Sequence, residues 1–382
     1  MSTTQIPDKI IKLLLIKSTG RCQYKGCNKS LYLDLITKRS FNQSYIAHIV
    51  ADEPNGPRGD ANRSKLLDKD LTNLMLMCDA HHRLIDKIDV AGHPESVLLS
   101  MKKEHEDRVE RITAIAPNMQ SHIVTYKANV GVHTPVITYE SVNEYLLPTH
   151  YPAMSSAIDL SLGNSPLRDR NESFWTTELE NLETQFNEQL RPKLRKNEIT
   201  HLSLFAFAPM PLLIKLGTLL NDIQHIEIHQ PVRDPRTWNL NDDSQPNIYS
   251  VTEPTNKAPI VALNISLSAT INNDRITSVL GNDCAIYTLT IASPFNDFLK
   301  SKKHLQDFSI VVRKLLNNIK SKYNAQTPLH IFPAMPIAIA IELGRVWMPK
   351  ADMPLVIYDE NTVNGGFVKV VEINNTTMDV LN

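Results

Sequence analysis

Two close pairs of metal-ligand residues constrain how the first hundred residues of this chain can fold. Cys22 and Cys27 bracket the loop Gln23-Tyr24-Lys25-Gly26, and Cys78 and His81 have two residues between them. Sulfur and nitrogen donors paired on two separate turns supply the tetrahedron that zinc takes in structural sites. Gly26 can adopt the positive φ that such a turn often needs. Three of the four cysteines of the chain lie here, and Cys78 leads straight into two histidines. Three isolated buried thiols would not account for that spacing. The region is small, so a structural ion supplies stability that its core cannot. Lys12 and Lys17 break up the apolar run that starts at Ile10, so no secretory signal is expected, disulfides are disfavoured, and the expected location is cytoplasmic.

A second constellation overlaps the first. His48 lies in Ser44-Tyr45-Ile46-Ala47-His48-Ile49-Val50, which reads as a strand, and Asn73 opens the apolar segment Leu74-Met75-Leu76-Met77-Cys78. His82 and Asp86 are four residues apart in a stretch that reads as a helix. That spacing places the imidazole and the carboxylate on one face, where they can grip one divalent cation and leave positions open for substrate. Between strand and helix, Asp52 to Asp60 is dense in Gly and Pro and reads as a loop. Arg58 and Arg63 there either contact phosphate or are solvated loop charges.

These residues resemble the HNH, or ββα-metal, nuclease family over roughly residues 18–90. The resemblance implies that His48 is the general base, that Asn73 holds its imidazole, and that His82 and Asp86 ligate a catalytic metal. That metal would polarise the scissile phosphate and ease departure of the 3′ oxygen. Many family members carry a further metal ligand just before the base; here that position is Ala47. Two protein ligands completed by water and phosphate suit magnesium, or a similar divalent cation, better than tightly held zinc.

The chain has 382 residues and a net charge of −1. That is long enough for two or three domains, and too balanced for a chain-wide polyanion binder. No apolar stretch reaches transmembrane length, so no membrane partner is expected. Residues 7–17 and 96–114 read as helices, with Pro7 in the first turn of the former; the latter either packs on the first domain or connects it onward. Ala116-Pro117-Asn118 breaks that helix, so the domains are set at 1–118 and 119–382. Cys284 reads as a small buried residue.

In the second part, residues 121–130 read as a strand and 176–195 as a helix. An internal repeat follows. Leu202 to Gly217 aligns with Leu329 to Gly344 at an offset of 127, so that Phe205 meets Phe332 and Pro209 meets Pro336. Each copy reads as a buried strand, a Pro-bearing loop, an apolar helix and a further strand. The alternation implies two related α/β units with mainly parallel sheets. Ligands of open α/β sheets bind beyond the carboxyl ends of the strands, and two such units facing each other suit a pseudo-symmetric ligand. No GxGxxG or Walker loop appears, which argues against dinucleotide cofactors and ATP.

This half resembles the SAVED domain, a fusion of two CARF-like units, through Phe205 to Gly217, Phe332 to Gly344 and Trp347-Met348-Pro349-Lys350. The two resemblances together imply the fold class: an α+β, zinc-stapled ββα-metal nuclease domain with a connector helix, followed by an α/β domain of two fused Rossmann-like units. They also imply an effector of CBASS antiphage defence. In that reading a cyclic dinucleotide or other cyclic oligonucleotide, made by a partner nucleotidyltransferase, binds the second domain, drives homo-oligomerisation and activates cleavage of double-stranded DNA. Expected ligand contacts are Pro209, Arg233, Arg236, Trp238, Phe332, Lys350 and Tyr358. Trp238 either stacks on a base or packs under its loop, and Pro209 and Phe332 shape the pocket by packing. Two alternatives stand beside this: a McrA-like restriction endonuclease whose second domain reads DNA, and a catalytically inactive sensor module.

Overall fold

Leu74–Cys78 is buried at every position, which an apolar run achieves when it is covered on both faces. In the computed structural model, residues 4–221, 225–243, 246, 248–255, 257–361 and 365–374 are described. The chain divides into two compact units, Met1–Pro117 and Asn118–Asn382.

The first unit contains α1 (Asp8–Ser18), β1 (Ser44–His48), α2 (Ser64–Leu67), β2 (Leu74–Cys78), α3 (Asp79–Arg83) and α4 (Glu95–Thr113). Pro7 caps α1 rather than entering its first turn. β1 and β2 pair antiparallel, with Ser44 opposite Cys78 and His48 opposite Leu74. Helix α3 continues as a π-helical turn, Leu84–Ile88. Leu14 of α1, Met75 and Met77 of β2, and Leu98 of α4 meet in one small core. His105 on α4 donates from Nε2 to the carbonyl of Ser18 at 3.0 Å, so α4 packs on α1.

The second unit begins with β3 (Gln120–Lys127), α5 (Tyr139–Val142), β4 (Tyr151–Pro152), β5 (Ile158–Asp159), α6 (Glu172–Gln185), α7 (Arg191–Arg195), β6 (Leu202–Phe207), α8 (Met210–Leu219) and β7 (Ile226–His229). The helix expected over 176–195 is two helices joined by a π-helical turn, Phe186–Leu190. Pro192, in the first turn of α7, has no N–H to continue the α-helical ladder. The unit goes on with β8 (Tyr249–Thr252), β9 (Ile260–Ser266), α9 (Asn273–Leu280), β10 (Cys284–Ile291), α10 (Lys302–Lys322), β11 (Leu329–Ala334), α11 (Ile337–Val346), β12 (Leu355–Asn361) and β13 (Gly366–Ile373).

Two sheets result. One has the order β4-β3-β6-β7, with β5 also on β3, and is parallel throughout. The other has the order β13-β12-β11-β9-β10-β8, parallel in the middle and antiparallel at both edges. The run β5-β3-β6-β7 therefore has the topology of β10-β9-β11-β12. The repeat read from the sequence is a repeat of fold.

The two copies meet through their helices. A Cβ placed on Gly217 of α8 would lie 2.0 Å from the carbonyl oxygen of Ile341, and one on Gly344 of α11 would lie 2.0 Å from that of Ile214. Both contacts obey the same 127-residue offset, so the crossing is pseudo-twofold. Glycine at both positions lets the two backbones touch.

Candidate functional site

The knuckle Gln23–Gly26 is held against the end of the hairpin by Gln23. Its backbone N–H donates to the carbonyl of Leu76 at 2.9 Å, and its side-chain oxygen accepts from the Leu76 N–H at 2.8 Å. This brings Cys22, Cys27, Cys78 and His81 together, with all four ligand atoms within 4.8 Å of one another. His81 Nδ1 lies 3.2 Å from Cys78 Sγ and 3.6 Å from Cys22 Sγ. Tyr24 stacks on the His81 ring at 4.0 Å, fixing its direction. Burial pushes the Cys22 thiol up to about 12, and its neighbours Cys78 and Cys27 add to the rise. A cation among them reverses that logic, because it favours thiolates. Three sulfurs and one imidazole nitrogen at these spacings fit zinc.

His48 ends β1 with its side chain nearly buried. Its Nε2 donates to the carbonyl of Asp68 at 2.9 Å. A carbonyl only accepts, so the proton sits on Nε2 and the lone pair on Nδ1. Asn73 does not touch that imidazole, contrary to the expectation. Its Oδ1 accepts from the Val50 N–H at 2.8 Å, and its Nδ2 donates to the carbonyls of Val50 at 2.8 Å and Leu67 at 3.2 Å. It thus clamps the backbone just beyond His48 to the backbone just before Asp68. The orientation of the imidazole is set through main chain on both sides.

His82 Nε2 lies 3.4 Å from Asp86 Oδ2, and the His82 ring stacks on Tyr45. Burial lowers the affinity of His82 for a proton, an effect partly offset by Asp86. The other carboxylate oxygen of Asp86 accepts from Arg58 at 2.7 Å. One imidazole nitrogen and one carboxylate oxygen thus face a common space, a donor set that fits a divalent cation finished by water.

One of the two expected DNA contacts needs correction. Arg58 is buried, with its guanidinium bonded to the carbonyls of Ile49 and Ile85 as well as to Asp86. It pins the 49–60 loop onto the hairpin and the helix instead of reaching out to phosphate. Arg63 is exposed and forms a surface ion pair with Glu95. The Asp68 carbonyl was not foreseen, because a main-chain oxygen leaves no residue-type signal.

In the second unit, Trp238 is partly buried edge-on to Phe205. It also lines a cavity of about 330 Å³ with His229, Lys302, Gln306, Ser309 and Arg345. Burial brings His229 down to about 4. Phe332 is wholly buried and stacked at 4.4 Å on Tyr358, and the Tyr358 hydroxyl bonds His330. Both aromatics are core residues, which corrects Tyr358 as a ligand contact and leaves Phe332 to act only through packing. Pro209 is buried as the cap of α8. Arg233, Arg236 and Lys350 are exposed and do not line that cavity. Gln230, not anticipated, accepts the Ala338 N–H at 2.9 Å and so ties the loop after β7 to the first turn of α11.

The family described as "SMODS-associated and fused to various effectors sensor domain", abbreviated SAVED, matches residues 182–373, just over half of the chain. The chain belongs to the SAVED family. The match takes in both copies of the strand–helix–strand repeat and the α8–α11 crossing between them.

Solved structures similar to this SAVED protein include the Acinetobacter baumannii Cap4 SAVED/CARF-domain containing receptor with the cyclic trinucleotide 3'3'3'-cAAA. It is 14% identical, with a TM-score of 0.43, over 73% of this chain and 62% of that one. The same receptor with 2'3'3'-cAAA gives 14% and 0.41, over 73% and 55%. The Moraxella osloensis Cap4 receptor gives 14% and 0.39, over 73% and 54%. The chain therefore spans between 54% and 62% of these receptors. No curated protein matches it. Among the described residues, no helix is long and apolar enough to cross a membrane.

Proposed function

We propose that this chain is a cyclic-oligonucleotide-activated DNA endonuclease, with the SAVED half as sensor and the first unit as an HNH-type phosphodiesterase. The observation that carries the enzymatic part is the His48–Asp68 hydrogen bond beside the His82–Asp86 pair. A histidine whose Nε2 proton is committed to a carbonyl has a free acceptor at Nδ1, which is what a general base for water requires. Asn73 and Arg58 keep the two halves of this arrangement in place: Asn73 through the main chain around His48, Arg58 by bridging the His48–Ile49 strand end to Asp86.

His82 and Asp86 would hold a divalent cation, magnesium in preference to zinc. When bound, it supplies the charge that polarises a scissile phosphate and eases loss of the 3′ oxygen. His48 Nδ1 takes the proton of the attacking water. Arg58 leaves Asp86 with one oxygen for the cation and neutralises part of its charge, so binding is modest and completed by substrate. The Cys22, Cys27, Cys78 and His81 cluster holds a structural zinc.

For the sensor half, the family membership and the pseudo-twofold repeat support a cyclic oligonucleotide as activator, because a ring of repeated nucleotides offers similar edges to two similar half-sites. We further propose homo-oligomerisation as the consequence of binding. Double-stranded DNA is the proposed substrate.

Two observations favour a second reading, an inactive scaffold: Ala47 cannot ligate, and Arg58 already occupies one oxygen of Asp86. A single assay separates them. Purified protein, magnesium and plasmid are incubated with a panel of cyclic di- and trinucleotides, for wild type and His48→Ala. Cleavage with one ligand, abolished in His48→Ala while zinc content is kept, supports the proposal. Full cleavage by His48→Ala, or none by wild type with every ligand, overturns it.

A further inference from the structure

A second cluster of ligand-type side chains lies in the first sheet of the SAVED-bearing unit. His150 immediately precedes β4, His201 immediately precedes β6, and Glu227 is the second residue of β7. One ligand atom from each lies within 4.8 Å of the others. The His150 and His201 rings stack at 3.9 Å with 16° between their planes. All three are at the amino-terminal ends of their strands, the opposite end from where open α/β sheets take their organic ligands.

We propose that His150, His201 and Glu227 form a site for a borderline transition-metal ion such as zinc, distinct from the metal sites of the first unit. The residue types are those that select such ions: two imidazoles and one carboxylate, with positions left for water. The surroundings are built as metal sites are, with outer hydrogen bonds that aim the ligands. Ser121 Oγ lies 2.8 Å from His201 Nδ1 and is itself bonded to Ser203 Oγ in the sheet interior. Thr149 Oγ1 lies 3.1 Å from His150 Nδ1. Both imidazoles thereby keep Nε2 available. Lys302 bonds Glu227 Oε1 at 3.0 Å and leaves Oε2, and Asp242 at 3.2 Å gives that lysine a second acceptor.

The site opens on the cavity that Trp238 lines, since His201, Glu227 and Lys302 belong to its wall. An ion there would tie the loop before β4 to β6 and β7. Its role is therefore to brace the first α/β copy.

The test is metal content. Full-length wild type, His150→Ala and Glu227→Gln are brought to equilibrium by dialysis against micromolar free zinc, and zinc per chain is measured by plasma mass spectrometry. Each variant should hold one zinc fewer than wild type. Zinc should also raise the melting temperature of the second unit, followed by tryptophan fluorescence, in wild type but not in the variants. Glu227→Gln keeps the size of the side chain and an oxygen for Lys302, so its loss of zinc is not a folding defect. Equal zinc content in wild type and both variants would overturn the proposal.

Discussion

Replacing Gly344 by alanine tests the contact on which the pairing of the two α/β copies depends. The added methyl would lie 2.0 Å from the carbonyl oxygen of Ile214, 2.8 Å from Gly217 Cα and 2.8 Å from the Thr218 nitrogen. All three atoms are backbone, so no side-chain rotation relieves the clash. The added methyl must gain about 1.4 Å to reach ordinary contact with the Ile214 oxygen, and as α8 and α11 part to give it, the buried leucines and isoleucines between them lose dispersion contacts. Overpacking against rigid neighbours costs about 3 kcal/mol or somewhat more. Alanine returns about 1 kcal/mol of helix propensity. The net loss should be about 2–3 kcal/mol. Urea unfolding followed by tryptophan fluorescence reads it cleanly, because Trp175, Trp238 and Trp347 all lie in the second unit. Gly217→Ala should cost a similar amount. The double variant should cost less than the sum, because the first methyl has already parted the helices that the second would part. A Gly344→Ala protein with the wild-type urea midpoint would refute the reasoning, and so would strict additivity.

Two further outcomes follow from buried polar groups. Burial raises Glu178 to about 7 from an ordinary 4.5, and its Oε2 has no protein partner among the described residues. The native state therefore keeps that proton to higher pH than the unfolded chain, so the stability of the second unit falls as pH rises from about 4.5 to about 7 and levels off above. Glu178→Gln should flatten that window and stabilise the protein at pH 8 by on the order of 2–3 kcal/mol; urea midpoints that track pH identically in variant and wild type would count against it. Asn73→Ala leaves three main-chain groups around His48 and Asp68 without their partners and should destabilise the first unit by about 2–4 kcal/mol. Hydrogen exchange should speed up in peptides covering residues 44–50 and 67–78, and unchanged protection there would contradict the clamp.

Much of this molecule was legible from spacing. The 127-residue offset was visible in Leu202 and Leu329, and it anticipated the matched topology of the two sheets. The Cys22–Cys27 and Cys78–His81 pairs, and the four-residue step from His82 to Asp86, locate side chains that a turn or a helix brings together without help from the rest of the fold. Period and short range are properties of the chain itself, so they survive without coordinates.

What spacing could not decide was which way a residue faces and which distant residue it meets. Arg58 sits in a polar loop and reads as a surface cation, yet it is buried because Ile49, Ile85 and Asp86 converge on it from elsewhere in the chain. Tyr358 closes the apolar run Leu355 to Tyr358 and reads as a pocket aromatic, while Phe332 reads as shaping the pocket by packing. The sheet register and the packing of β13 put them in the core. The imidazole of His48 is directed by a main-chain oxygen twenty residues away, and His150, His201 and Glu227 become neighbours only once β4, β6 and β7 lie in one sheet. Each of these depends on chain segments that approach after collapse, and a contact between distant segments has no signature in the residues that make it.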